Sequence, residues 1–253
     1  MARGGRFAIV IGAVLVALAS MAGGAGAAQC GNTAAGFDAW KRQFAEEARA
    51  RGVGPTAIAA LMSTTYSTAA IAADRGQRSF GLSLEQFLAK RGGPAIAARG
   101  RALKRSQAAL FASIEQRYGV PPGPLLAIWG METGFGSQHG NQRALAAVAT
   151  LAYDCRRAAF FTDQLNAALR LIDQGRLSPT ARGSMAGEIG QTQFMPKTIL
   201  EYGSGNLDVA ANALASTANF LRAHGWRAGG GYQPGETNFG AIQAWNCLLY
   251  TSP

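Results

Sequence analysis

Histidine, cysteine and acidic residues are scarce in this sequence, and each shortage argues against a class of site. The 253-residue chain has two histidines and three cysteines, and its 14 Asp and Glu residues are outnumbered by 24 Lys and Arg. Neither His139 nor His224 lies at metal-ligand spacing from a cysteine, which argues against a zinc site. We therefore expect no bound metal and no cofactor.

The chain also has few charged residues and no dense basic run. Charged residues make up 15% of the chain and hydrophobic residues 48%, which excludes a disordered polymer. The formal net charge of +10 favours polyanions such as nucleic acid, anionic membrane or an acidic cell-wall polymer. Because the basic residues are scattered and not interleaved with aromatics, we do not expect nucleic acid as a partner.

The N-terminus is typical of a secretory signal peptide. Arg3 and Arg6 precede an apolar stretch over 7–22, and small residues follow up to Ala28. The alternative is a transmembrane anchor, but the apolar stretch is short for a span of about 20 residues. We expect residues 1–28 to be removed, with membrane association only through the uncleaved signal segment.

Export gives the cysteines a second interpretation. An oxidising compartment permits one disulfide among Cys30, Cys155 and Cys247, with one thiol left over. The residues alone leave the pairing open.

Hydrophobic periodicity predicts a mainly α fold with little β structure, because no sustained alternation of apolar and polar residues occurs. Asp38 is a candidate cap for a helix carrying Trp40 and Phe44, and Ser83 with Gln86 has capping-box spacing. A loop is expected over 227–236. Further helices are predicted over 96–118, 144–153, 158–173, 195–202 and 208–223.

Glu132 stands in the stretch IWGMETGFG, among Ile128, Trp129 and Met131. Apolar surroundings disfavour the charged form of a carboxyl and raise its pKa, which makes the group a general acid near neutral pH. The alternative is a glutamate on an exposed stripe of an otherwise buried helix.

The stretch GSMAGEIGQTQFMP, residues 183–196, combines small residues with two glutamines. Small residues let the backbone approach a ligand closely, and Gln191 and Gln193 offer donors and acceptors suited to sugar hydroxyls. The alternative is a tight helix crossing with glutamines facing solvent.

Taken together, several stretches resemble the membrane-bound lytic transglycosylase B family, whose members cleave peptidoglycan on a lysozyme-like helical fold. The resemblance runs from near residue 37 to residue 246. The stretches that carry it are ETGFG at 132–136, ATLAYDCRRAAFF at 149–161, GSMAGEIGQTQFMP at 183–196 and ANFLRAHGW at 218–226.

The resemblance implies a catalytic domain over 29–246. An N-terminal helical part would occupy about 37–118 and the catalytic core about 119–246. Residues 247–253, CLLYTSP, are atypical of the family, whose members continue into a further helix; a truncation and an assembly artefact are both open as explanations.

By position, Glu132 matches the family's single catalytic glutamate, and Trp245 stands where the family often has tyrosine. The same resemblance implies that Ser184, Gln193, Trp245 and Asn246 bind substrate. The donors and acceptors of Gln191 add it to this substrate-binding set. Asp154 is expected to be a structural partner of Arg156 or Arg157.

The resemblance also implies the pairing Cys30–Cys155, because both cysteines lie in segments matched to the family. Many family members carry an Asp- and Gly-rich loop that resembles a calcium site. Here the corresponding segment, EYGSGNLDVAA, has Asp208 as its only aspartate, so we expect no calcium.

The implied function is that of an exported, periplasmic lytic transglycosylase. Such an enzyme cuts the β-1,4 bond between N-acetylmuramic acid and N-acetylglucosamine and leaves 1,6-anhydro ends. Its partner would be the glycan strand, and it is expected to act as a monomer. The alternatives are a hydrolytic muramidase with the same glutamate and a peptidoglycan-binding module without turnover.

Overall fold

Helices dominate the part of the chain that the structure describes. In the computed structural model this part is Met1 and residues 28–76 and 82–246. Within it, the α-helices are α1 Phe37–Ala50, α2 Pro55–Met62, α3 Thr68–Arg75, α4 Leu84–Lys90, α5 Gly93–Ser106, α6 Ala108–Tyr118, α7 Pro122–Thr133, α8 Ala144–Tyr153, α9 Ala158–Asp173, α10 Pro196–Tyr202, α11 Ala210–Ala223 and α12 Phe239–Trp245.

Strands are confined, over the same residues, to one antiparallel pair. β1 Gln142–Arg143 pairs with β2 Arg182–Gly183, with Gln142 opposite Gly183. The predicted mainly α fold is therefore confirmed.

Two predicted segments lie outside the described residues: nearly all of the signal peptide and the 247–253 tail, which includes Cys247. None of the helices that the structure describes is long and apolar enough to cross a bilayer.

The helix predicted over 96–118 is wrong in one respect, because two helices occupy that stretch. α5 ends at Ser106 and α6 begins at Ala108, with Gln107 between them at φ −115° and ψ 30°. The break has a packing reason, since α5 packs against α7 whereas α6 packs against α11. A single straight helix would not face both neighbours.

Helix ends show one prediction wrong and one confirmed. Asp38 is not a cap, because α1 begins at Phe37 after Gly36; its charge lies in the first turn, where the helix dipole favours an anion. The capping box is present, with Ser83 Oγ accepting from the Gln86 amide and the Gln86 side chain accepting from the Ser83 amide.

The core is built around α8. All residues of this helix except Ala146 are buried, and it packs against α9 and, less extensively, against α1, α2 and α3. A helix that is apolar on every side is stable only when it is surrounded. Three aromatic rings, those of Phe37, Trp40 and Tyr66, pack on Tyr153 at its C-terminal end.

A disulfide joins Cys30 to Cys155, as the family resemblance implied. It connects the segment before α1 to the turn after α8. The Gly31 amide donates to the Tyr153 carbonyl at 2.9 Å beside it. A side chain at Gly31 would overlap the Tyr153 hydroxyl, because a Cβ there would lie 2.1 Å from that oxygen.

The expected pairing of Asp154 with the neighbouring arginines needs correction. Its carboxylate forms an ion pair with Arg75 on α3 at 2.5 Å. From Arg156 it accepts a hydrogen bond of the backbone amide, and not one of the side chain. The side chains of Arg156 and Arg157 instead pair with Asp74. These ion pairs fix the end of α3 against the turn between α8 and α9.

We predict that loss of the disulfide destabilises the fold. The bridge spans 125 residues, and closing a loop of this size contributes about 5 kcal/mol in the loop-entropy model. Thermal unfolding with and without reductant should show a lower melting temperature for the reduced protein and for Cys155→Ser. Cys247→Ser is the control, because it removes a cysteine and leaves the pair intact.

Intact mass after alkylation without reductant checks the pairing directly. One alkylated cysteine is expected, at Cys247. Alkylation at Cys30 or Cys155 in the folded, unreduced protein would contradict the bridge.

Candidate active site

Glu132 lies in the last turn of α7, and the sequence fixes both ends of this helix. Pro121 precedes it in an extended conformation, and Pro122 occupies the first helical position, where a missing N–H is tolerated. The helix ends at Thr133, because Gly134 takes a left-handed conformation.

Three consecutive residues after Glu132 have positive φ: Gly134 at 57°, Phe135 at 61° and Gly136 at 80°. Such a conformation is uncommon for phenylalanine and persists only when the surroundings enforce it. The Phe135 amide donates to the Trp129 carbonyl at 3.2 Å, and the two rings pack edge to face at 5.4 Å. The turn therefore folds back on α7 directly after Glu132.

Gln191 joins this turn to the segment 183–195. Trp129 Nε1 donates to Gln191 Oε1 at 2.7 Å, and Thr133 Oγ1 donates to the Gln191 carbonyl at 2.6 Å. Thr133 Oγ1 also accepts from the Gly136 amide at 2.9 Å. We call these four residues the Gln191 hydrogen-bond network.

Gly136 and Asp208 complete the surroundings of Gln191. A Cβ at Gly136 would lie 2.4 Å from Gln191 Oε1, so only glycine fits there. Gln191 Nε2 donates to the Asp208 carbonyl at 2.7 Å. Both ends of the amide are thus engaged with protein, and Gln191 does not line the cavity that contains Glu132.

A tight double-backed segment presents Gln193 to the same cavity. The amides and carbonyls of Ile189 and Phe194 exchange two hydrogen bonds of 2.9 Å. Gln193 lies between them at φ 53°, again a left-handed conformation for a residue other than glycine. Its Nε2 donates to the Gly190 carbonyl at 2.8 Å, and its side chain reaches the cavity wall.

The Glu132 cavity has a volume of about 310 Å³. Three of the predicted substrate-binding residues line it, namely Gln193, Trp245 and Asn246. Its other walls are partly aromatic and partly polar, and they include Phe160, Gln164, Glu188, Phe194, Met195, Lys197, Thr198, Glu201, Tyr202, Phe220, His224 and Ala244.

Trp245 brings α12 to the catalytic glutamate candidate. Its Nε1 donates to Glu132 Oε1 at 3.3 Å. Its ring packs on Phe194 at 5.0 Å and edge to face on Phe220 at 5.3 Å. This arrangement gives the cavity an aromatic wall of the kind on which the apolar faces of sugar rings stack.

The environment of Glu132 favours its protonated form. Burial raises the pKa of its carboxyl to about 7, and the negative charge of Glu188 adds to the shift. The Trp245 hydrogen bond and the positive charge of Arg91 oppose it. The C-terminal end of α7 also disfavours an anion, because the helix dipole is negative there.

Ser184 does not line the Glu132 cavity, and its hydroxyl makes hydrogen bonds within the turn 184–188. Its hydroxyl donates to Glu188 Oε2 at 2.8 Å and accepts from the amides of Ala186 and Glu188. It lines a second, smaller cavity of about 260 Å³, the Ser184 cavity, which Glu188 also borders.

Glu188 is the site residue that sequence reasoning missed. It stands in AGEIG, where a carboxylate has only small and apolar neighbours, the same pattern that drew attention to Glu132. Burial raises the pKa of Glu188, while the Ser184 hydrogen bond and Arg157 lower it. The sequence signal that marks Glu132, an acid among small and apolar residues, is therefore present at Glu188 as well.

The chain belongs to the transglycosylase SLT domain family, whose model matches residues 36–247. The mainly helical, lysozyme-like fold predicted from the sequence is thereby confirmed, with solved relatives of the same architecture.

Three relatives illustrate the similarity. Membrane-bound lytic murein transglycosylase B of Escherichia coli K12 is 37% identical over 123 residues, which are 45% of this chain and 34% of the relative. SltB3 of Pseudomonas aeruginosa, in complex with NAG-NAM-pentapeptide, is 34% identical with a TM-score of 0.71, over 76% of this chain and 54% of that one. Escherichia coli Slt35, in complex with bulgecin A, is 27% identical with a TM-score of 0.66, over 80% and 68%. The chain thus spans about a third of the first relative and about half of the second.

Metal ligands do not cluster in the described part of the chain, where no group of three or more His, Cys, Asp and Glu side chains is placed to hold an ion. Another structure of Slt35 is in complex with calcium. In this chain, Asp208 pairs with His139, with Nδ1 and Oδ1 3.6 Å apart.

We predict that Thr133→Val weakens the Gln191 hydrogen-bond network. Thr133 is fully buried, and valine keeps its shape but leaves the Gln191 carbonyl and the Gly136 amide without this partner. The free energy of unfolding in urea should fall by about 1–3 kcal/mol. Ser137→Ala, which removes an exposed hydroxyl from the same turn, is the control and should cost less. Equal stability of the two variants would contradict the role given to Thr133.

A second prediction concerns the pH dependence of stability. The pKa of Glu132 lies above its ordinary value of 4.5, at about 7, so folding favours the proton and ionisation costs stability as pH rises through this window. Glu132→Gln carries no such penalty. It should match the wild type at pH 4 and exceed its free energy of unfolding at pH 8, by on the order of 1–3 kcal/mol.

Thermal or urea unfolding at both pH values measures this difference. Glu201→Gln is the control, because Glu201 is an exposed carboxylate at the same cavity. An equal effect of Glu132→Gln at pH 4 and pH 8 would show that the pKa of Glu132 is not raised.

Proposed function

We propose that this protein is a lytic transglycosylase that cleaves the β-1,4 bond between N-acetylmuramic acid and N-acetylglucosamine in peptidoglycan. The observation that carries the proposal is Glu132, a carboxyl whose pKa of about 7 lets it both donate and accept a proton, set in a cavity with an aromatic wall. Membership of the transglycosylase SLT domain family supports it.

The first step is protonation of the leaving group. Neutral Glu132 donates its proton to the glycosidic oxygen, the bond from that oxygen to C1 breaks, and the electron pair leaves with the oxygen. Positive charge develops at C1 of the muramyl sugar, where the substrate's own acetamide oxygen is placed to stabilise it. Glu132 is left as a carboxylate.

The second step returns the proton. Carboxylate Glu132 accepts the proton of the C6 hydroxyl of the same muramyl sugar, and that oxygen forms a bond to C1. The product is a 1,6-anhydro ring, and Glu132 is neutral again. One carboxyl therefore serves as acid and then as base, and the pKa of about 7 suits both roles.

Substrate binding falls to the residues that line the Glu132 cavity. We assign the glycan contacts to Gln193, Trp245 and Asn246, with Trp245 as a stacking surface. Ser184 and Gln191 support the site from behind, since their polar atoms are engaged with Glu188 and with α7. Solved complexes of SltB3 with NAG-NAM-pentapeptide and NAG-anhNAM-pentapeptide support a substrate and product of this class.

The cellular setting follows from the same proposal. We infer that the protein is exported to the periplasm, where its partner is the peptidoglycan glycan strand, and that it acts as a monomer. Residues 29–246 would form the mature catalytic domain, with membrane contact limited to the signal segment before cleavage.

Hydrolysis is the second candidate. A muramidase would use the same Glu132 but would let water attack C1, giving reducing ends. A second carboxylate at the cavity, Glu188, favours this alternative, because paired carboxylates activate water in inverting glycosidases.

We predict that Glu132→Gln abolishes turnover and keeps binding. Glutamine preserves size and hydrogen bonding but has no transferable proton, and a group that acts as both acid and base contributes about 10⁴-fold. Gln193→Ala should lose less, because it positions substrate without moving a proton. Glu236→Gln, an exposed change in the 227–236 loop, is the control and should retain wild-type activity.

The measurement is mass spectrometry of muropeptides released from isolated sacculi, with sedimentation of each variant on sacculi as the binding assay. Anhydro ends support the transglycosylase, and reducing ends support the muramidase. A folded Glu132→Gln variant with near-normal turnover would mean that the acid lies elsewhere.

A further inference from the structure

Glu188 stands between two cavities. It lines the Glu132 cavity on one side and the Ser184 cavity on the other. The Glu188 side chain is partly exposed. Residues 184–188 form a tight turn, in which the Ser184 amide donates to the Glu188 carbonyl at 2.9 Å. Only glycine fits at position 183, because a Cβ there would lie 1.9 Å from the Glu188 carbonyl oxygen.

The carboxylate of Glu188 is held by one hydroxyl. Ser184 Oγ donates to its Oε2 at 2.8 Å, and no other donor to this carboxylate occurs among the described residues. Its second oxygen is therefore not fixed by a protein donor. The position of the Glu188 side chain is therefore set by the 184–188 turn and by its one hydrogen bond with Ser184.

Several charged groups face the two glutamates, and they are distributed unequally. Glu132 has Arg91 after α4 and the Trp245 N–H from α12 on its side. Glu188 has Arg157 before α9, whose own partner is Asp74 on α3. The remaining titratable groups at the Glu132 cavity are Lys197 and Glu201 on or beside α10, Tyr202, and His224 at the end of α11.

We propose that Glu188 is a positioning residue of this site: its ionised carboxylate, fixed by Ser184, keeps Glu132 in the acid form until substrate is bound. This inference rests on the proposed function. It assigns a role that the single-glutamate mechanism does not contain.

The order of ionisation follows from the contacts. Two carboxyls that share a cavity do not ionise together easily, so the better-solvated or better hydrogen-bonded one loses its proton first. Ser184 donates to Glu188 at 2.8 Å, whereas the Trp245 donor lies 3.3 Å from Glu132. Glu132 also lies at the negative end of α7. Glu188 therefore carries the charge, and Glu132 keeps the proton.

The same charge assists the second step. Once Glu132 has given its proton to the glycosidic oxygen, it is an anion facing Glu188. Repulsion between the two carboxylates makes ionised Glu132 a stronger base toward the C6 hydroxyl. Glu188 thus acts through Glu132 in both halves of the reaction.

The test is the pH dependence of Glu188→Gln. Glutamine keeps the acceptor for Ser184 and removes the charge, so the alkaline limb of kcat/KM for anhydro-muropeptide release should move to lower pH. Above the limb the rate should fall roughly tenfold for each pH unit of movement. Below both limbs the ratio of the variant rate to the wild-type rate should not change with pH. Glu188→Asp, which keeps the charge, should restore the limb toward its original position.

Glu201→Gln is the matched control. It removes another carboxylate from the same cavity, but Glu201 is exposed to solvent, where its charge is screened. Its alkaline limb should stay where the wild-type limb is. If the alkaline limb moved equally in Glu188→Gln and Glu201→Gln, any carboxylate at the cavity would have the same effect on Glu132. That result would overturn the proposal.

A titration that needs no turnover separates this proposal from the proposed function. Carbon-13 NMR of the wild type, with Glu132 and Glu188 assigned from the two Gln variants, follows both carboxyls directly. Glu188 should ionise at lower pH than Glu132, and Glu132 should ionise at lower pH in Glu188→Gln.

The outcomes are distinct. If the expected titration is found in a protein that releases no muropeptide, the electrostatic coupling stands and the proposed function fails. If turnover is normal but Glu132 ionises before Glu188, or its titration is unchanged in Glu188→Gln, the coupling is wrong. A Glu188→Gln rate reduced equally at every pH would indicate a merely structural residue and would also overturn it. Should that variant fail to fold, Glu188→Asp supplies the assignment, because it also removes the glutamate resonance, and the wild-type titration then decides the order.

Discussion

The site depends on the hydrogen bonds that Gln191 makes with the end of α7. Glu132 comes from a helix that ends at Thr133, whereas Gln193 and Glu188 come from a segment more than 50 residues later in the chain. The Gln191 hydrogen-bond network is the direct connection between them, and it is made by buried or half-buried atoms at 2.6–2.9 Å. A rigid connection of this kind is what a residue that moves protons requires, because small displacements of a catalytic group are costly.

Strain and close packing are concentrated in the same few turns. Phe135 and Gln193 are the two described residues other than glycine with positive φ; Phe135 lies in the turn after α7, and Gln193 lies in the wall of the Glu132 cavity. Backbone conformations of this kind persist where surrounding contacts enforce them. The helical core around α8 provides the stability that offsets their cost. Part of this core, including Phe194 and Phe220, also forms a wall of the Glu132 cavity.

Features that depend on neighbouring residues could be predicted from the sequence, whereas features that depend on distant contacts could not. The bounds of α8 and α9 were predicted to the residue: α8 is a continuous apolar stretch between Arg143 and Asp154, and α9 has periodic apolar positions after Arg157. The break at Gln107 was not, since neither glycine nor proline marks it and its cause is a change of packing partner. Glu132 was found from its immediate neighbours, but the role of Gln191 depends on Trp129, 62 residues away in the chain. Glu188 was within reach of the same local argument and was overlooked.

The disulfide has a consequence for the order in which the protein assembles. Cys30 and Cys155 enclose α1 to α8, so the bridge and the parallel pairing of Gly31 with Asp154 are contacts of high sequence separation. A chain delivered N-terminus first presents Cys30 long before its partner arrives. Until then the Cys30 thiol has no disulfide partner. The aromatic cluster around Phe37 also lacks the Tyr153 ring. The bridge therefore cannot form until the chain has been extended past α8, and once formed it holds Gly31 against the end of this helix, around which the rest of the core is packed.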